Sequence, residues 1–245
     1  MATIPSGYRQ VNSTGKYYEV LEYINAKQVL VRFDNTGTEK WCAAKEVRNG
    51  SIKDPHSPTV CGVGVVGLGY SVVTSPKAYE CWRGMLRRCY VEKNNKDWER
   101  YGGKGCTVCR DWHNFQVFHE WYTANAKDGY DIDKDIIVQG NLVYSPEFCN
   151  MIPSDLNKML TFTDKLRKGK LGVHYNKEKG KYMALVQTHL SGIKRKYFNS
   201  EQLAYEFYCK VRTSSIKAAA DYYHNKGEIS STVREGLYKF DVTKK

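Results

Sequence analysis

Two sets of three short alternating runs, one near each end of the chain, restrict this protein to small sheets. The first set is "KYYEVLEYI" (16–24), "KQVLVRF" (27–33) and "EKWCAAKEV" (39–47), separated by turn-like residues around Asn25 and by "DNTGT". Val29, Val31 and Phe33 alternate with Leu30 and Arg32, which is the period of a half-buried strand. The second set covers 172–176, 181–188 and 192–198, with "NKEKGK" and "HLSG" between them. Runs this short, closed by Asn, Asp and Gly, make a small barrel or meander at one end and a three-stranded sheet at the other.

Between the two sets the period changes to that of helices. In "SPKAYECWRGMLRRCYVE", Pro76 stands at the first helical position behind Ser75, a candidate N-cap. Tyr79, Trp82, Met85, Leu86 and Cys89 recur at three and four residues and predict a core stripe. Arg83, Arg87 and Arg88 lie largely off it. "WHNFQVFHEWYTAN" (112–125) repeats the pattern with Phe115, Phe118, Trp121 and Tyr122. These aromatic residues are read as packing. A short helix is expected behind Ser154. After the last strand, "EQLAYEFYCKVR" (201–212) sets Leu203, Ala204, Phe207, Tyr208 and Val211 on one face behind Ser200, and a further helix is expected in 215–226. The fold class is therefore α+β in three small modules. They are a β-barrel-like domain over 1–60, a central domain with flanking helices over 79–160, and a sheet-plus-helix domain over 165–245. A Gly/Pro-rich connector over 61–78 is expected to lie extended across one domain face. It contains no Gly-Lys-Ser/Thr and opens no helix with G-x-G-x-x-G, which argues against a nucleotide loop.

The charge is uneven. The 245-residue chain carries formal net charge +12, of which residues 1–60 hold +2, 61–160 hold 0 and 161–245 hold +10. The last third thus supplies most of the attraction for a polyanion, and a nucleic acid is the expected partner, duplex DNA where the basic residues fall on a three-stranded sheet. Mean hydropathy is −0.60. No apolar run approaches the roughly 18–20 residues of a spanning helix, so no membrane partner is expected. The N-terminal "MATIPSGYRQ" lacks an apolar secretory core, and the expected location is the cytosol. Eight scattered cysteines read as free thiols.

The chemistry concentrates in "GYDIDKDIIVQGNLVYSPEFCN", Gly129–Asn150. Asp131, Asp133 and Asp135 alternate. The pattern predicts a hairpin of "DIDKDII" with "NLVYS" about "VQGN", with the aspartates on one side and Ile132, Ile136 and Val138 facing the core. One reading is an oxygen-rich Mg²⁺ site formed by Asp133 and Asp135 and completed by Asn157. The other is a structural hairpin whose aspartates cap turns or pair with Arg83, Arg87, Arg88 and Lys134. Cys106-x-x-Cys109 has metal-ligand spacing, yet no second pair follows, so core thiols are favoured over zinc. In the last third, Lys177, Lys179, Lys181, Lys194, Arg195 and Lys196 cluster on strands and the turn between them, with Tyr175 and Tyr182 interleaved. That pattern suits a ribbon read into the major groove, or a solvated basic face.

Two longer stretches resemble known families. "WRGMLRRCY…YGGKGCTVCRDWHNFQVFHEWY…DIDKDI…GNLVYSPEFCNMIPSDLN", about residues 79–160, resembles a phage-encoded family related to HNH homing endonucleases. "GVHYNKEKGKYMALVQTHLSGIKRKYFNSEQLAYEFYCKVR", about 171–212, resembles the APETALA/ethylene-response-factor DNA-binding domain. The first resemblance implies a β-hairpin and helix holding one divalent metal beside a phosphate, with a His as base. This chain carries Ile132-Asp133-Lys134-Asp135 at that place, and Phe148 follows Pro146-Glu147 where the family has Asn. Asn157 is the candidate for the last ligand position. The resemblances leave three functions open: a DNA endonuclease using Mg²⁺, a DNA-binding or scaffold protein of the same descent that does not cut, and an RNA- or ribosome-associated basic protein. For a phage-encoded chain, the cytosol would be that of the bacterial host.

Overall fold

A computed structural model describes residues 3–160, 170–189 and 192–244. The chain is mixed α and β with several small sheets. It divides into two compact units, Met1–Trp121 and Tyr122–Lys245.

The first unit opens with an antiparallel meander. Its strands are β1 (Arg9–Val11), β2 (Tyr17–Asn25), β3 (Gln28–Phe33) and β4 (Glu39–Cys42), hydrogen-bonded in that order. The alternation read in the sequence is realised, because Val29, Val31 and Phe33 are fully buried with Tyr18 and Val20. A short helix α1 (Ala44–Arg48) closes this core with Ala44 and Val47.

The second part of the unit is built on α2 (Pro76–Tyr90), which buries Trp82, Met85, Leu86 and Cys89 as the stripe predicts. Pro76 occupies the first turn. The Ser75 hydroxyl does not cap the helix but meets His119 Nε2 at 2.9 Å. A two-residue strand β5 (Thr107–Val108) and a 3₁₀ turn (Arg110–His113) lead to α3 (Phe115–Asn125). Trp82 Nε1 donates to the Trp112 carbonyl at 2.7 Å, and Trp82 and Trp112 are enclosed with Phe115 and Phe118. The aromatic residues are packing residues. The connector packs against this core but is not extended: residues 61–63 and 72–74 form turns, Val60 bridges Gly64, and residues 76–78 belong to α2. Gly64 leaves room for Trp82 and Leu86, and the Gln116 amide holds Val66 O, Tyr70 O and Tyr70 N.

The second unit begins with β6 (Tyr130–Asp133), β7 (Val143–Tyr144), β8 (Asn150–Pro153) and α4 (Ser154–Leu160). The expected hairpin is not what pairs here. β6 pairs antiparallel with β8, Tyr130 opposite Pro153 and Asp133 opposite Asn150. The cause is local. Asp133 Oδ1 accepts from Asp135 N at 2.7 Å and from Ile136 N at 2.9 Å, and these bonds curl the backbone out of the ladder after Asp133. Gly140 (φ +84°) then sits third in a turn closed by Asn141 N to Val138 O at 3.0 Å. Ile136 is buried as expected, but Val138 is exposed.

The unit ends with β9 (Val173–Asn176), β10 (Lys181–Thr188), β11 (Gly192–Phe198), α5 (Glu201–Asn225) and α6 (Ser231–Lys239). Ser200 caps α5 by accepting from Leu203 N at 3.2 Å. The two helices expected over 201–212 and 215–226 are one helix of 25 residues. Ser215 does not break it, because its hydroxyl is used by His189 N at 2.9 Å. Leu203, expected on the packed face, points to solvent at 52% exposure.

α5 belongs to two cores. Its first half packs Ala204 and Tyr208 on Val173, Ala184 and Val186 of the sheet. Its second half packs Ile216, Ala219, Ala220 and Tyr223 with Ile136, Ile152 and Leu156, and with Val233 and Leu237 of α6. The stretch expected as one module over 79–160 is thus divided between the units, its second half sharing a core with 216–242. Arg212 stands where the two cores meet. Its buried guanidinium donates to Gln187 O of β10 at 3.1 Å and to Met159 O in the last turn of α4. A cation at the carbonyl end of a helix is favourably placed.

Gly172 sets how closely α5 approaches the sheet. It has φ +71°, and a Cβ there would fall within the ring of Tyr208. Gly172→Ala combines backbone strain with overpacking and is expected to lower stability by about 2–4 kcal/mol. Urea unfolding reads this directly, and a change under about 0.5 kcal/mol would mean that the Tyr208 contact is not a constraint.

Candidate nucleic-acid interface and the aspartate stretch

The sheet is ordered β11-β10-β9, with Ala184 opposite both Lys196 and Val173, and Leu185 opposite Arg195. Side chains on a strand alternate between faces, and directly opposed residues share a face. Ala184 and Val186 are buried under α5, so Tyr182, Thr188, Lys194, Lys196 and Phe198 belong to the helix side. The outer side carries Lys181, Met183, Leu185 and Gln187 of β10, with Ile193, Arg195 and Tyr197 of β11 and His174 of β9.

The six basic residues named from sequence are therefore not one patch. Lys181 and Arg195 lie on the outer face and are exposed. Lys177 and Lys179 lie in the turn between β9 and β10. Asn176 Oδ1 accepts from Lys179 N at 2.8 Å, and Lys179 Nζ sits 4.2 Å above the Tyr197 ring, which draws this lysine onto the outer face. Lys194 and Lys196 leave the edge strand on the helix side. Lys196 Nζ lies 5.6 Å from the Phe198 ring and 5.3 Å from the Phe207 ring. Adjacent positions in "KRK" look alike in sequence, and the pleat separates them. Sequence reasoning missed Gln187 and Tyr197 on the outer face. The register Gln187 opposite Ile193 and Met183 opposite Tyr197 brings them there. Tyr175 and Tyr182, read as interleaved with the lysines, contact each other with ring centroids 5.1 Å apart on the helix side.

The aspartates also separate. Asp131 is exposed on β6, and Asn157 Nδ2 donates to its Oδ2 at 3.4 Å. Asp133 spends Oδ1 on the two backbone N–H groups of the turn. Asp135 lies beyond the end of β6, and each of its carboxylate oxygens stands 2.9 Å from Lys134 Nζ. Lys134 is buried, donates also to Asn141 O, and has its Nζ 5.9 Å from the Tyr144 ring. Arg83 and Arg87, named as alternative partners, pair with Glu80 and Asp97 at 3.4 Å and 3.9 Å.

A divalent ion needs converging oxygens free of another cation. Here an ammonium already holds the Asp135 carboxylate, Asp133 is committed to its own backbone, and Asn157 reaches the stretch at Asp131. Asp133, Asp135 and Asn157 in this arrangement do not fit a shared Mg²⁺ ion. Among the described residues no three His, Cys, Asp or Glu side chains gather as a metal-holding group. Cys106 is buried and Cys109 half-buried, and none of the eight cysteines, all among the described residues, is joined in a disulfide. Burial pushes the Cys109 thiol up, away from the reactive thiolate.

No helix among the described residues is long and apolar enough to cross a membrane. Compared with family profiles, curated proteins and solved structures, the chain matches none.

Burial pushes the Asp133 carboxyl above the ordinary range, with the two backbone donors opposing it and Asp135 adding to it. A carboxyl whose folded value exceeds its unfolded one binds its proton more tightly in the folded chain. Its charged form therefore opposes folding at neutral pH, and this penalty fades as pH falls through the raised value. Wild-type protein is expected to gain stability relative to Asp133→Asn between neutral pH and about pH 4. The check is denaturant unfolding of both proteins across that range. The opposite slope would place Asp133 among ordinary stabilised carboxylates.

Proposed function

We propose that this protein binds duplex DNA through the outer face of the β9–β11 sheet and does not cut it. In this reading it is a cytosolic DNA-binding relative of the phage HNH family, with three working parts. The sheet and α5 form the reading head, the segment around β6, β8 and α4 is its scaffold, and the N-terminal meander is an accessory module. The observation that carries the reading is the outer face itself, where Arg195, Lys181, Gln187 and the Lys179–Tyr197 pair share one side of a narrow ribbon.

Size and chemistry both support it. Three strands spaced about 4.8 Å apart make a ribbon roughly 10 Å across, within a B-form major groove about 12 Å wide. The deep, narrow major groove of A-form RNA does not admit such a ribbon, which favours DNA over duplex RNA. Arg195 presents a fork suited to guanine O6 and N7, and Gln187 can bridge adenine N6 and N7. Lys177, Lys179 and Lys181 at the strand ends suit phosphates. Lys194 and Lys196, on the helix side of the edge strand, suit flanking phosphates and carry no base reading. The ammonium-filled aspartate turn supports a scaffold over a cutting centre.

Arg195→Ala is expected to weaken binding to a preferred duplex by about 1–3 kcal/mol, roughly 5–150-fold, and to relax preference at one base pair. Lys181→Ala should lower affinity evenly across sequences and reduce the salt slope by about 0.9. Fluorescence anisotropy at several salt concentrations separates the two effects. Full-strength binding by an Arg195→Ala/Lys181→Ala double variant would overturn the interface. Conversion of supercoiled plasmid to nicked or linear forms in Mg²⁺ would overturn the non-cutting half. A chain ended near Leu160 is unsuited to either test, since it removes Ile216, Leu237 and their neighbours from the core around Ile136 and Ile152.

A further inference from the structure

The loop between β6 and β7 is organised around a positive centre supplied by the chain itself. Lys134 Nζ meets Asp135 Oδ1 and Oδ2 at 2.9 Å each, donates to the Asn141 carbonyl, and sits 5.9 Å from the Tyr144 ring. Its side chain is only 7% exposed. Asn141 closes the same loop from the other side. Its amide donates to Lys134 O at 2.9 Å and to Val143 O at 2.7 Å, and it accepts from Val143 N at 3.1 Å. Two carboxylate oxygens and one carbonyl oxygen thus converge on one buried cation. Hard divalent ions gather the same donor types.

We infer that Lys134 is a built-in replacement for a metal ion: its ammonium takes the cation's place in this loop, and the loop folds without any divalent cation. The charge arithmetic agrees. The ammonium neutralises the Asp135 carboxylate, and its charge also reaches the Asp133 carboxyl beside it. Nor can the ammonium leave without consequence, because the Asn141 carbonyl and the Asp135 carboxylate lose their donor, although solvent relieves part of that loss at Asp135, whose side chain is 40% exposed. The same loop holds Ile136, which belongs to the core shared by α4, α5 and α6. Loss of the ammonium should therefore be felt in the stability of that core and not only in the loop. The inference does not depend on the DNA-binding reading, and it can fail while that reading stands.

The test is thermal unfolding of the full chain in EDTA, and in Mg²⁺ or Mn²⁺ at matched ionic strength. Wild-type protein should melt at the same temperature in all three. Lys134→Met keeps the stem and removes the charge. It should melt about 5 °C lower in EDTA, and the divalent ion should restore at least half of that loss by entering the vacated oxygen set. Lys134→Met/Asp135→Asn should lose the metal response. A wild-type melting point raised by Mg²⁺ would overturn the inference, as would a folded Lys134→Met protein that no divalent ion stabilises. Should Lys134→Met fail to fold, titrating the wild-type protein with paramagnetic Mn²⁺ decides the matter. Unchanged amide resonances for residues 133–136 are expected, and their saturable broadening would overturn the inference.

Discussion

The second unit depends on one helix being continuous. α5 runs 25 residues without a break, and each half completes a different hydrophobic core. A helix that ended near Arg212 would leave the sheet packed on Ala204 and Tyr208 and would strand Ile136, Ile152 and Leu156 without Ile216 or Ala220. Arg212 reinforces the join, since it holds a carbonyl of β10 and a carbonyl of α4 at once. Burial lowers the pKa of this guanidinium, though from so high a starting value that it stays charged at neutral pH. The helix thus ties a basic sheet to a segment rich in aspartate, and the two share one folding unit.

Local pattern was a good guide wherever packing on one face decided the outcome. Val29, Val31 and Phe33 had to alternate because β3 covers a core on one side only. Trp82, Met85, Leu86 and Cys89 had to fall on one stripe for the same reason. What pattern could not reveal was competition between local and distant partners. "DIDKDII" has strand-like alternation throughout, yet the Asp133 side chain captures two backbone N–H groups and ends the strand. β8 then supplies the partner from beyond the turn at Ser145-Pro146, a strand that no alternation in the sequence marks. Thr213-Ser214-Ser215 reads as a gap between helices on intrinsic preference, but burial of Ser215 and Ile216 keeps the helix intact. α6 escaped notice although a signal existed: Ser230 accepts from Val233 N as an N-cap, and Val233 and Leu237 follow at a spacing of four.

The site was legible as chemistry and not as geometry. The basic residues of the last third were visible by charge alone, but their faces depend on the register of β10 with β11, which charge does not encode. Arg195 and Lys181 fall on the outer side, Lys194 and Lys196 on the other. The aspartates were visible as a cluster, yet the residue that determines their role is the lysine among them. A lysine between two aspartates reads as a solvated neighbour in a chain of net charge +12. Its burial follows from the turn that Asp133 initiates and Asn141 closes, and that turn is a property of the folded loop.

A helix of this length is also a lever arm. At about 1.5 Å per residue, α5 spans roughly 37 Å from the sheet to its contacts with α6. Tilting it by about five degrees at the distal end would sweep the sheet sideways by about 3 Å, close to the roughly 3.4 Å step between successive bases. The packing of Ala219, Ala220 and Tyr223 against α6 then acts as a bearing whose tightness fixes where the far end of the helix holds the sheet. If the sheet reads DNA as proposed, substitutions that loosen this bearing would change which base pair is met, while leaving every side chain at the surface of the sheet as it was.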